Sequence, residues 1–313
     1  MRRFPAGARF VVALILVAGL ACHRAGGPTD GVSGSPPKTG VCAGADLTPG
    51  DALAAVCTDG VIHVAMDPSR KPTSWYDAGT GQWNGFDAEV ANEIAKRLGI
   101  SASIDPASPA AISRGTWRGR WDMSVSSMPD TADAEQRFLF SPAYYFEPVA
   151  IAVADADTSI SDVADLEGAT VCVAAGSTEE AYARGHLTLG PSAPPVGFEP
   201  RGSVVRPMPS AEAALGELVA QRCDAVIAGW WEIQSVIDAG GHVSIIGEPA
   251  FYVPLAVAFD DHDVRDMHRL LDAVSGIVVD MHDDGTLAAL SEKWFEGADR
   301  TAASPPPSAT PSA

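Results

Sequence analysis

The sequence has no apolar run long enough to cross a bilayer. Its longest, Phe10 to Ala21, has twelve residues, where a spanning helix needs about 20. Basic charge is scarce: 21 Lys and Arg stand against 40 Asp and Glu, for a net charge of −19. A surplus of that sign repels phosphate backbones and argues against nucleic acid as a partner. Cysteine is also sparse. There are five in 313 residues, and no pair has CxxC spacing, so neither a zinc ribbon nor a thioredoxin-type redox centre is indicated. Of the seven histidines, His262 and His268 are six apart and cannot share a helical face at zinc-ligand spacing. There is no Gly-x-Ser-x-Gly elbow and no phosphate-binding Walker loop. Gly79-Thr80-Gly81 ahead of Gly85 misses the GxGxxG spacing by one residue and reads as a turn. Internal repeats and heptads are missing too. Nothing in the pattern asks for a metal or a cofactor.

What is present begins with an export signal. Arg2, Arg3 and Arg9 flank the apolar run as a basic n-region. Gly19-Leu20-Ala21-Cys22 follows and resembles a bacterial lipobox, whose cysteine is acylated and becomes the mature N-terminus. The alternative is ordinary signal-peptidase cleavage after Ala21, since Gly19 and Ala21 are both small. The expectation is a leader over 1–21 and a lipid on Cys22. Losing the three arginines with the leader takes the net charge from −19 to −22.

An exported chain permits disulfides. Cys42, Cys57, Cys172 and Cys223 allow three pairings. Cys42–Cys57 with Cys172–Cys223 is favoured. The first closes a loop of about 15 residues, worth about 3 kcal/mol; the second would join two strands, or leave two buried thiols. Residues 22–57 read as a tether and a cysteine-linked N-terminal segment. The Gly-, Pro- and Ser-rich stretches at 23–40 and in TAASPPPSATPSA bury too little to fold, and 299–313 is expected to be a disordered tail.

Between these ends strand and helix signals alternate. Val61–Met66, Trp121–Val125, Ala169–Ala175 and Asp224–Ala228 read as strands. Asp87 to Leu98 reads as a helix, with Val90, Ile94 and Leu98 every four residues and Gly99 as the stop. Ser210 can cap a helix over Ala211–Arg222. Met267, Leu270, Leu271, Val274, Ile277, Val278 and Met281 lie on one helical face. A shorter helix carries Leu287, Leu290 and Trp294. The alternation predicts an α/β fold with mostly parallel sheets.

Five blocks occur in a telling order. They are Asp67-Pro68-Ser69-Arg70 with Trp75-Tyr76-Asp77 and Gly85-Phe86-Asp87; Trp121-Asp122-Met123 through Ser126-Ser127-Met128, Thr131, Phe140-Ser141 and Tyr144-Tyr145; Leu166-Glu167-Gly168 through Gly176-Ser177-Thr178; Cys223-Asp224-Ala225-Val226; and Asp284-Gly285-Thr286 with Lys293-Trp294-Phe295. Over about residues 58–297 the chain resembles family 3 extracellular solute-binding proteins, the polar amino-acid receptors of bacterial ABC importers. The resemblance implies a two-lobed periplasmic-binding-protein type II (Venus flytrap) fold with two hinge strands. Lobe one would hold 58–148 and 253–298, lobe two 149–252, with crossings near Glu147–Ile151 and Phe251–Leu255. It implies a monomer without cofactor. A small polar solute would bind between the lobes, ABC permease and ATPase subunits would be partners, and the lipid anchor would hold the protein to the outer face of the cytoplasmic membrane or in the periplasm.

The departures concern the ligand clamp. Where the family places an arginine for the ligand's α-carboxylate, this chain has Ala134. A backbone N–H that helps it falls on Pro129, which has none. The aspartate for the ammonium falls on Gly229. The cargo is therefore expected to differ from a free α-amino acid held in the usual way. Candidate ligand contacts are Asp67, Arg70, Trp75, Ser127, Met128, Ser177, Thr178 and Trp230. Arg70 offers a relocated positive charge or is a solvated loop arginine. Asp67 faces the cleft or caps a turn. One of Trp230 and Trp231 is core. Ser177 and Thr178 enter a helix and offer N–H and hydroxyl donors. Two other functions stay open: a cyclohexadienyl dehydratase on the same scaffold, with Glu179 and Glu180 as nameable acids, and a ligand-sensing lipoprotein without a transporter.

Overall fold

The computed structural model describes residues 40–197 and 200–304. The leader, Cys22, the tether up to residue 39 and the tail from residue 305 lie outside the described residues. Helices α1 (Ala52–Asp59), α2 (Phe86–Leu98), α3 (Pro109–Ser113), α4 (Thr178–Ala183), α5 (Ala211–Val219), α6 (Trp230–Asp238), α7 (His268–Asp283) and α8 (Thr286–Trp294) alternate with eleven strands. The strands are β1 (Val61–Met66), β2 (Ser69–Arg70), β3 (Ser74–Asp77), β4 (Gln82–Asn84), β5 (Ser101–Pro106), β6 (Met123–Pro129), β7 (Phe138–Ala154), β8 (Thr170–Ala174), β9 (Val204–Met208), β10 (Ala225–Gly229) and β11 (Val243–Asp260).

Eight strands form one sheet in the order β5-β1-β6-β11-β7-β10-β8-β9. The outer trios, β5-β1-β6 and β10-β8-β9, are each parallel. The two long strands between them, β7 and β11, run antiparallel to each other, β11 antiparallel to its neighbour β6 and β7 antiparallel to its neighbour β10. β11 pairs with β6 from Leu255 onward, while β7 takes up β10 from Val149 onward. Their mutual register breaks between Ile246 and Phe251. Each long strand thus pairs with one trio over one half and with the other long strand over both halves, so the pair runs through both lobes. This is the two-lobed α/β arrangement with two shared strands that the resemblance implied.

The helices cover the sheet as their spacing dictates. On α2, Phe86, Val90, Ile94 and Leu98 are buried, and Gly99 stops the helix in the left-handed region at φ 84°. On α7, Leu270, Val274, Ile277, Val278 and Met281 are buried. The helix expected over Ala211–Arg222 stops earlier, at Val219. A separate three-stranded sheet, β2-β3-β4, had no clear sequence signal. Its β3–β4 connection holds the turn read at Gly79–Gly81, closed by Gly81 N–H donating to the Asp77 carbonyl at 2.7 Å.

Both favoured disulfides are formed, Cys42–Cys57 and Cys172–Cys223. The first ties the 3-10 turn Val41–Ala43 to α1, whose Leu53 and Val56 are buried. Residues from 40 onward are therefore docked rather than part of a free tether. Ala52 N–H donates to the Asp266 carbonyl just ahead of α7 at 2.9 Å. The second disulfide lies in the core of the β10-β8-β9 lobe.

Candidate functional site

The first turn of α2 carries a buried carboxylate, Asp87, in a knot of hydroxyls. Tyr144 Oη donates to Asp87 Oδ1 and Ser127 Oγ to Asp87 Oδ2, each at 2.8 Å. Tyr145 Oη donates to Ser127 Oγ at 2.6 Å, and Ser127 N–H donates to Tyr144 Oη at 3.1 Å. Ser127 holds a left-handed backbone, φ 51°, uncommon for a residue with a Cβ. Burial pushes the Asp87 carboxyl up to about 6, even though Ser127 and Tyr144 donate to it.

A second group of charges gathers where the lobes share β7. Glu147 lies on β7 and Glu232 in the first turn of α6. Gly229 N–H donates to Glu232 Oε2 at 3.3 Å. A Cβ on Gly229 would stand 3.1 Å from Glu147 Oε1 and 3.3 Å from Glu232 Oε2, so two acids converge over the residue that lacks a side chain. Burial pushes Glu147 up to about 7; Arg300 and Arg70 oppose the rise, and Glu232 and Glu179 add to it. Glu232 is exposed as a residue, yet lost hydration and the charge of Glu179 raise its pKa, against the Gly229 N–H and Arg70.

Arg70 joins this group from the first lobe. It too is exposed as a residue. Partial desolvation disfavours its charge, but the fields of Tyr145, Asp87, Glu147 and Glu232 outweigh that and hold its pKa above the ordinary value. Glu147 also has a nearer cationic partner, Arg300 Nη1, 3.5 Å from its Oε2.

The other sequence-derived candidates are placed as follows. Asp67 is buried and caps its own turn, accepting from Ser69 N–H at 3.0 Å and Ser69 Oγ at 2.8 Å. Trp75 packs edge-on against Trp294, centroids 5.4 Å apart, under the ammonium of Lys71. The Ser127 hydroxyl is consumed within the Asp87 knot. Met128 belongs to a hydrophobic cluster with Trp117, Trp121 and Phe138. Ser177 caps α4, its Oγ accepting from Glu180 N–H at 3.2 Å and donating to the Ala174 carbonyl at 2.8 Å. Thr178 Oγ1 donates to Glu179 at 3.3 Å. Trp230 packs on the second lobe's core. Its neighbour Trp231 instead lies under the Arg300 guanidinium. Of the eight candidates, Arg70 is the one whose pKa is raised by acids of both lobes, Asp87 in the first and Glu232 in the second.

At the clamp positions, Ala134 sits in the 3-10 turn Ala134–Gln136, and its N–H donates to Thr131 Oγ1 at 3.2 Å. Arg137 is engaged with Asp133 at 3.4 Å. Glu147 and Glu232 were missed as site residues. The Glu three places beyond Gly229, at a helix start, was the available signal for the second.

The segments flanking these residues touch. Ala132 N–H donates to the Thr188 carbonyl at 3.0 Å, Gly190 N–H to the Asp130 carbonyl at 2.9 Å, and Ala143 N–H to Ser192 Oγ at 3.3 Å. Asp130 is 2% exposed, and its Oδ1 has no hydrogen-bond partner among the described residues. Burial pushes it up to about 6, and the neighbouring Glu135 raises it further. Among the described residues no set of three or more His, Cys, Asp or Glu side chains is arranged to hold a metal ion.

Comparison with known proteins bears on the family and the fold. The chain is 25% identical over 244 residues to the L-cystine-binding protein of Escherichia coli strain K12, covering 77% of this chain and 85% of the relative. It is 28% identical over 138 residues to cyclohexadienyl dehydratase of Pseudomonas aeruginosa, covering 43% of this chain and 51% of that enzyme. A crystal structure of an ancestral amino acid-binding protein, described as a precursor of cyclohexadienyl dehydratase, superposes with a TM-score of 0.60 at 27% identity, covering 78% of this chain and 99% of that one. The model of the bacterial extracellular solute-binding proteins, family 3, matches residues 62–297 of the 313, and the chain belongs to that family.

Proposed function

We propose that the protein is the exported, Cys22-lipidated substrate-binding component of an ABC importer and not an enzyme. Its lobes, 58–148 with 253–298 and 149–252, close on a small polar solute. The observation that carries the reading is that Glu147 on a shared strand and Glu232 in the second lobe meet over Gly229, one of the altered clamp positions, while the charge of Arg70 in the first lobe is held by the fields of both acids. Contacts of this kind to both lobes would favour a closed state in proportion to their differential affinity. The arrangement suits a solute with a cationic group directed at Glu147 and Glu232 and an acceptor directed at Arg70. The cystine-binding relative supports a transport role and a nitrogen-bearing cargo.

The test is thermal unfolding of the full chain against a panel of common amino acids, their amide and betaine derivatives, diamines, polyols and carboxylates. A ligand at 100 times its dissociation constant adds about 2.7 kcal/mol. Stabilisation by a cationic solute that is lost in Glu232→Gln supports the reading. Stabilisation by ordinary amino acids that survives both Arg70→Ala and Glu232→Gln overturns the altered clamp. A second reading, a dehydratase, draws on the partial match to that enzyme and on Glu147, whose pKa near neutrality suits a proton donor. Turnover of prephenate or arogenate would establish it in place of the first.

A further inference from the structure

Residues 299–301, Asp-Arg-Thr, follow α8 beyond the segment matched by the family, and by composition they begin a solvated tail. Arg300 does not behave that way. Its N–H donates to Ser291 Oγ on α8 at 2.8 Å, and its carbonyl accepts from Phe146 N–H on β7 at 2.8 Å. Ser291 is itself fully buried and donates to the Ala298 carbonyl at 3.0 Å. Immediately afterwards Asp299 Oδ1 accepts from Thr301 N–H and Oγ1, at 2.9 and 2.7 Å, and turns the chain away. Arg300 is thus pinned across the edge of β7, between α8 and the shared strand.

The side chain reaches further. The guanidinium carbon lies 3.9 Å from the ring centroid of Phe295, at the end of α8 in the first lobe, and 4.2 Å from that of Trp231, on α6 in the second lobe. Nη1 faces Glu147 on β7 at 3.5 Å. The side chain is 12% exposed. A planar cation between two rings gains from both faces, and more when desolvated. Because the rings belong to different lobes, both contacts are satisfied only over a narrow range of lobe settings. The setting described here is also the one in which the Asp130–Ala132 and Thr188–Gly190 segments meet.

We propose that Arg300 is a positioning residue, a latch from the C-terminal strap that grips Trp231 and Phe295 across the hinge and biases the lobes toward the closed setting before any solute arrives. The inference needs lobe motion but not the identity of the cargo. The test therefore uses no ligand. Förster transfer is measured between dyes on Lys96→Cys in α2 and Asp238→Cys in α6, in the full chain with Cys22→Ser and both disulfides intact. In the otherwise native chain the short-distance population is expected to dominate. Arg300→Ala is expected to lower the ratio of short- to long-distance molecules on the order of tenfold. Arg300→Lys should follow Arg300→Ala rather than the native chain, because an ammonium cannot stack between two faces. Trp231→Leu removes the second-lobe ring alone and should have little further effect when combined with Arg300→Ala. The proposal is overturned if Arg300→Ala and Trp231→Leu, each with native near-UV circular dichroism, leave the distance distribution unchanged. It is equally overturned if Arg300→Lys keeps the native distribution. Should Arg300→Ala fail to fold, Trp231→Leu and Arg300→Lys decide alone. Loss of all solute binding by the native chain would sink the transport reading without touching this result.

Discussion

Two buried aspartates sit in different surroundings. Asp87, in the first turn of α2 within the first lobe, accepts from two hydroxyls that are themselves hydrogen-bonded. Asp130, at the seam between the lobes, has one oxygen with no partner among the described residues and another carboxylate, Glu135, beside it. Burial pushes both up to about 6. The same shift therefore has different meanings. In the knot the carboxylate is the acceptor on which two tyrosines and a serine depend. At the seam it is a desolvated group with a second acid, Glu135, beside it, and protonation relieves it. Polar residues on this molecule are best judged by whether their partners are complete.

The strongest way to break the comparison is to remove each carboxylate. Asp87→Ala leaves Ser127 Oγ and Tyr144 Oη buried without their acceptor, at about 1–3 kcal/mol each. Urea unfolding should show a loss of roughly 3 kcal/mol or more. Asp130→Asn removes a charge rather than an acceptor network and should be neutral or stabilising by about 1 kcal/mol. Equal losses from the two variants would abolish the distinction.

The pH dependence sharpens it. Asp87, Asp130 and Glu147 have folded pKa values of about 6, about 6 and about 7, all above the ordinary carboxylate range. Groups raised in this way bind their proton more tightly when folded. Their contribution is complete below about pH 4 and is lost as pH rises through 6 to 7. Asp284, held down to about 2 by Thr286 and Arg97, acts in the opposite sense and loses its contribution as pH falls from about 4 toward 2. The thermal midpoint should therefore be higher at pH 5 than at pH 8 and fall again below pH 4. Asp130→Asn should flatten the upper slope. A midpoint that rises from pH 5 to pH 8 would contradict these buried acids.

The smallest effect is expected at Arg70. It is exposed, so Arg70→Ala should change stability by less than about 0.5 kcal/mol while weakening solute binding. A large loss of stability would mean that Arg70 belongs to the knot rather than to the ligand face.

Much of the architecture was legible because it follows from periodicity. Val90, Ile94 and Leu98 fixed a helical face, and the strand runs at Val61 and Asp224 marked parallel strands that must be buried. β2, only Ser69–Arg70, is too short to show alternation. The site was less legible, for local reasons. Six of the seven residues of β6 are buried, so its pattern does not reveal which side Ser127 and Met128 face. Trp230 and Trp231 open one helix about 100° apart, and nothing in their order says which one packs inward. Glu147, Glu232 and Arg300 meet through tertiary folding alone; Glu147 and Arg300 are 153 residues apart.

The route of the chain has a mechanical consequence. The described residues start and finish in the first lobe, at α1 and at the strap after α8, and the second lobe is entered and left only along β7 and β11. Neither disulfide crosses between the lobes. A force applied at the two ends is borne by the first lobe, and the second hangs in parallel as an unloaded insert. In a pulling experiment the first lobe should yield first, and only then would tension reach the lobe whose helix α6 carries Glu232.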